Sequence, residues 1–167
     1  MADLPVGYEF GESNWGMFGA CTRRIPIVNR EGRFFLENGL YGDVFYAVMK
    51  MHGYPVDDQI ELFSNSKERV AELQVAGRIV ELKRNDCYPN KTGDEALIHG
   101  SAYLKIEWSI YSTLEKKVIA VIPTEGSTYK EVESRLDQLG YLRIALADAV
   151  QRLAISARYR EVVDPPR

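Results

Sequence analysis

The sequence predicts an α+β fold in two layers: a mainly antiparallel four-stranded sheet with two helices on one face, in the order β-α-β-β-β-α. Three observations carry this expectation. Residues 101–111 alternate without interruption, with Ala102, Leu104, Ile106, Trp108 and Ile110 on one side and Tyr103, Lys105, Glu107, Ser109 and Tyr111 on the other. That is the period of a half-buried strand. The segment "STLEKK" then turns the chain into "VIAVIP", an apolar run suited to be its hairpin partner. Two apolar stripes at helical spacing flank this meander, and few arrangements other than both helices on the sheet's apolar face would bury them.

The elements follow in order. Residues 1–31 carry Gly7, Gly11, Gly16 and Gly19 among Tyr8, Phe10, Trp15 and Phe18 with no sustained period, so an irregular Gly-rich arm is expected, some of its aromatics packed on the domain. No Gly-Lys-Ser/Thr follows these glycines, so they form no phosphate loop. A single domain is expected over residues 32–158, with a C-terminal tail over 159–167. "GRFFLENG" (32–39), bounded by glycines, reads as a strand. In "LYGDVFYAVMKMHGY" the residues Leu40, Val44, Val48 and Met51 recur at helical spacing until Gly53 and Pro55 stop them. Val70 to Asp86 reads as a long strand around Leu73, Val75 and Ile79, with Gly77 marking a bend or a close approach. "KRNDCYPNKTGDEALIHG" (83–100) reads as a polar loop. Pro123 is expected to end the hairpin, because it lacks a backbone donor. Thr128 to Glu131 has the form of a capping box, and Leu136, Leu139, Leu142, Leu146, Val150 and Leu153 then lay a stripe that Gly140 divides. The expected core places Leu104, Ile106 and Trp108 against Val44, Val48, Leu146 and Val150.

With 167 residues and 46% hydrophobic content the chain supports one well-buried core. Its 21 basic and 24 acidic residues, net charge -3, create no field that would gather nucleic acid or an anionic membrane. No apolar run approaches the roughly 18 residues of a membrane helix, so no membrane insertion is expected, and residues 1–10 lack the pattern of a signal peptide. Cys21 and Cys87 belong to no metal-ligand spacing, and neither a metal nor a cofactor is expected. The two are either independent thiols or one long-range disulfide. Enzymatic readings find little to stand on. A triad drawn from His99, Asp94 and a serine has no nucleophile elbow around it, and His52 sits at a helix end. The alternative that retains a physical basis is a small hydrolase or thiol enzyme centred on the 83–100 loop, with His99 activating Cys87. Asp86, Asp94 and Glu95 lack the rhythm and central glycine of a calcium loop, and Asn90-Lys91-Thr92 is a glycosylation tripeptide of a kind common by chance.

The strings "GRFFLENGLYGDVFYAVMKMHGYPV", "NDCYPN" and "GSAYLKIEWSIYSTLEKKVIAVIPTEG" with the closing helix, over about residues 32–155, resemble the small α+β domain of bacterial envelope proteins. That group includes the TolB N-terminal domain, the auxiliary lipoproteins of ABC transport and domains that precede trypsin-like peptidase domains. Cys21 in "FGACTRR" lacks the apolar run that precedes a lipidation cysteine. The resemblance implies a periplasmic or secreted, non-enzymatic accessory module that binds a protein partner or a second copy of itself. Export would in turn let Cys21 and Cys87 bridge, pinning the arm to the loop after the long strand. The contact surface is expected on the uncovered side of the central strand, at Tyr103, Lys105, Glu107 and Tyr111, or on an adjoining sheet edge.

Overall fold

In the computed structural model, which describes residues 4–17, 20–30, 38–56, 72–88, 98–132 and 140–164, the chain runs β1 (Glu9–Met17), β2 (Ala20–Val28), α1 (Asn38–Met51), β3 (Leu73–Tyr88), β4 (Ile98–Ser112), β5 (Lys117–Val132), α2 (Gly140–Ile155) and α3 (Ala157–Val163). The class is α+β, as expected. The sheet, however, has five strands in the order β2-β1-β3-β4-β5. It is mainly antiparallel, as expected, but mixed, because β1 runs parallel to β3 while every other neighbour pair is antiparallel.

The fifth strand comes from the segment expected to be an irregular arm. β1 and β2 pair antiparallel as a β-hairpin, and β1 docks on β3 from Gly11 opposite Arg84 to Trp15 opposite Tyr88. Phe10 and Leu4 are buried in the core and Tyr8 packs against it, which explains why a glycine-rich stretch carries aromatics. The strand expected at 32–39 falls largely outside the described residues; Asn38 and Gly39 already belong to α1. That helix ends as the sequence indicates, at Gly53 with φ 80°, a left-handed residue that closes the last turn.

The polar "loop" at 83–100 is strand over much of its length: β3 continues to Tyr88 and β4 begins at Ile98, with Cys87 opposite His99. Polar residues extend the strand because Arg84 and Asp86 form an ion pair on its buried side. β5 likewise runs through Pro123 to Val132, paired with β4 along its whole length. It is an outer strand, so a missing N–H at Pro123 breaks no ladder bond. Thr128 to Glu131 consequently lie in β5, not in a helix cap; α2 is described from Gly140, and Leu136 and Leu139 lie outside the described residues. Part of the expected tail is helical too: the Ser156 hydroxyl caps α3 by accepting from the Tyr159 N–H at 3.1 Å, and Tyr159 is buried.

Helices α1 and α2 lie on the side of the sheet that carries Ala102, Leu104, Ile106, Trp108 and Ile110, all buried. Leu142, Leu146, Val150 and Leu153 of α2 and Met49 of α1 share that core, with Val44, Phe45 and Val48 half-buried against it. Gly77 is a close approach: a Cβ there would lie 2.7 Å from Trp108 Cζ3, so the indole rests on bare backbone. Among the described residues, no helix is long and apolar enough to cross a membrane.

Candidate functional site

Helical cover on one side leaves the odd-numbered side chains of β4 on the other. There the strand register sets each beside a cross-strand neighbour, at distances where opposite charges stabilise one another modestly. Glu107 faces Arg78 of β3, and the two form an ion pair at 2.5 Å. Lys105 faces Glu125 of β5 at 3.8 Å. Tyr103 lies between Lys83 and Ser127, with the Lys83 ammonium, itself paired to Glu81 at 2.6 Å, 5.6 Å from its ring centre. Desolvation, then the Glu125 and Glu81 carboxylates, push the Tyr103 hydroxyl above its ordinary value. These groups meet one another's charge, and the centre of the open face is an interlocked polar lattice.

Toward the β4–β5 turn the character changes. Tyr111 sits between Gln74 and Val118, and Val118 and Val121, both on this face, are 51% and 45% exposed. Leu114 in the turn is 76% exposed. The open face thus has a charged middle and an apolar end, with a tyrosine in each. All four residues singled out from the sequence, Tyr103, Lys105, Glu107 and Tyr111, lie on this one surface.

The sheet edges are less open. β5 carries exposed Pro123, and four residues on, at the same strand parity, the outward Ser127 N–H donates to Asp148 of α2 at 3.0 Å. At the other edge, β2 carries exposed Pro26. Proline cannot donate to an added strand.

Cys21 and Cys87 form a disulfide with Cα atoms 5.9 Å apart. It joins β2 to β3, the two neighbours of β1. While the bond stands, Cys87 offers no thiolate for His99 to activate. The His99 side chain, the Asn90-Lys91-Thr92 tripeptide, Asp94 and Glu95 lie outside the described side chains, and His52 is exposed at the end of α1. Asp86 faces the helices, 1% exposed, and is no surface ligand. No three His, Cys, Asp or Glu side chains gather to hold a metal ion among the described residues.

One cluster escaped the sequence reading. Arg84 and Asp86, two apart on β3, both point to the helix side, where Arg84 Nε donates to Asp86 Oδ2 at 2.8 Å and Nη2 donates to the same oxygen. Asp86 Oδ1 is buried without a hydrogen-bond partner. The Tyr141 ring at the start of α2 presses on Gly100, the residue opposite Asp86, and burial followed by the Asp86 charge raises its hydroxyl. The only signal in sequence was the alternation Leu82, Arg84, Asp86, Tyr88, hidden because two of its four members are charged.

No protein-family model matches this chain, and no curated protein sequence matches it.

Proposed function

We propose that this chain is a non-enzymatic accessory domain of a bacterial envelope or secreted protein, akin to the small TolB N-terminal-like domains, and that it binds a protein partner through its open sheet face. The carrying observation is the one-sided sheet: both long helices cover one side, while the central strand presents Tyr103, Lys105, Glu107 and Tyr111 beside exposed Val118 and Val121 on the other. A tyrosine ring offers large contact area with few rotors and keeps its hydroxyl paired, a combination common at contact surfaces. The prolines in both outer strands argue for the face over the edges as the docking surface. The Cys21–Cys87 bond supports an oxidising compartment.

Replacing Tyr103 and Tyr111 together by serine tests this reading. The double variant should keep the wild-type unfolding free energy to within about 1 kcal/mol, since both sites are on the solvent side of the sheet. It should lose the partner that wild-type protein retains from an envelope or secreted fraction. A stably folded double variant that retains the same partner contradicts the assignment.

A further inference from the structure

The β1–β2 hairpin is held differently from the rest of the fold. Its extensive contacts with other elements run through β3, along the short parallel register Gly11–Trp15 against Arg84–Tyr88. Phe10, buried in β1 beside Gly11, and the bond from the Glu12 N–H to Asn85 Oδ1, 3.1 Å, add to this attachment. One connection, from Val28 to Asn38, links the hairpin to the elements that follow. The disulfide is the covalent part of the attachment, and it closes over β1 from β2 to β3. The seam also differs from the outer edges. Both outer strands carry a proline, but the β3 backbone beneath β1, "RNDCY", has none. If β1 leaves, β3 is the one proline-free edge the described sheet presents, and the strand whose side chains already fit it is β1.

We propose that breaking the Cys21–Cys87 bond releases the hairpin and that β1 of a second copy takes its place on β3, giving a strand-exchanged dimer closed by Cys21–Cys87 bonds between chains. The surface is the Arg84–Tyr88 edge, and the partner is another copy of this chain. The opening step is thiol–disulfide exchange with a dithiol reductant. One reagent thiolate attacks a cysteine sulfur and displaces the other as thiolate, which takes up a proton. The reagent's second thiol closes its ring and frees the first cysteine, so two electrons and two protons pass to the protein. In the closing step a disulfide oxidant such as glutathione disulfide accepts two electrons from Cys21 of one chain and Cys87 of the other, and leaves as two thiols.

The geometry supplies a control for random oxidation. Gly11 has φ 149°, and a Cβ there would collide with the Arg84 carbonyl oxygen, so a larger residue blocks β1 from β3 in either chain. Chains carrying Cys21→Ser are mixed with chains carrying Cys87→Ser and treated with glutathione disulfide; neither can close the bond alone. The expected product is a covalent heterodimer whose cross-linked peptides, read by mass spectrometry, join Cys21 to Cys87. Adding Gly11→Val to the chain that retains Cys21 should lower its yield at least tenfold. Wild-type protein, reduced and then reoxidised at rising chain concentration, provides the second measurement and does not depend on the variants folding: the share eluting at twice the chain mass should rise with concentration. A mixture and a wild-type sample that both stay monomeric overturn the proposal, as does a heterodimer yield indifferent to Gly11→Val. Neither result touches Tyr103 or Tyr111, so the outcome is separable from that of the open-face assignment.

Discussion

Trp108 concentrates several of the forces that hold the two layers together. Its ring lies over Gly77, its centroid is 5.5 Å from that of Phe45 on α1, and its indole N–H donates to Thr124 Oγ1 at 2.7 Å. Trp108→Ala should cost about 3–5 kcal/mol in a urea titration; a loss under about 1 kcal/mol would place the indole outside the core. Asp86 raises a different question, that of buried charge. Removing it by Asp86→Ala leaves the Arg84 guanidinium, only 10% exposed, without its partner, and the expected cost is about 3–5 kcal/mol. A neutral outcome in the same titration would mean that Arg84 reaches solvent. Tyr159 sets a pH limit. Burial, then neighbouring Tyr54, push its hydroxyl from 10.0 up to about 12. Because the folded value exceeds the unfolded one, the fold favours the neutral phenol: this contribution is whole below pH 10 and is lost as pH rises through about 12. Unfolding midpoints measured across that window should fall, and Tyr159→Phe, which cannot ionise, should shallow the fall; equal slopes for the two proteins would assign the alkaline loss elsewhere.

Whether an element could be read from the sequence depended on how far away its partner lay. β4 was legible because its pattern is its own: alternation over eleven residues names both faces without reference to a neighbour. α1 was legible through Val44 and Val48, half-buried on the core, and the glycine at its end, although Met51 of the same expected stripe is exposed and Met49 is buried in its place. β1 and β2 were not: the glycines of β1 suppress local propensity and its order comes from β3, some seventy residues on, where Gly11 meets Arg84, while β2 is ordered by its pairing with β1. The second half of β5 misled through a local rule. Thr-x-x-Glu suits a helix cap, yet Thr128 to Glu131 pair with β4, and a long antiparallel partner outweighs a cap. Pro123 misled in the same way, because proline ends central strands but is tolerated in an outer one. The disulfide belongs to this scale as well. It closes a separation of 66 residues, and its loss through paired Cys21→Ser and Cys87→Ser changes should cost about 4 kcal/mol by loop-closure entropy. An unchanged denaturation midpoint for the double variant would show that the bond adds no net stability to the fold.

At the scale of the whole molecule, the layered arrangement explains why the candidate surface was partly visible beforehand. Once one face of β4 was assigned to the core, Tyr103, Lys105, Glu107 and Tyr111 had to share the other, and the structure puts them there. What the sequence left hidden was their company: the ion pairs to Arg78 and Glu125 and the apolar end at Val118 and Val121 depend on strand register, which alternation alone does not set. The charged middle is satisfied within the chain, so the apolar end around Tyr111 is where a partner would gain most from burial. The most direct measurement places a photo-crosslinking residue at Tyr111, at Tyr103, or at exposed Arg143 on the helical side, in cells that make this protein. The account predicts one discrete protein adduct from Tyr111 and Tyr103 and none from Arg143; adducts from Arg143 with none from the sheet face would contradict it.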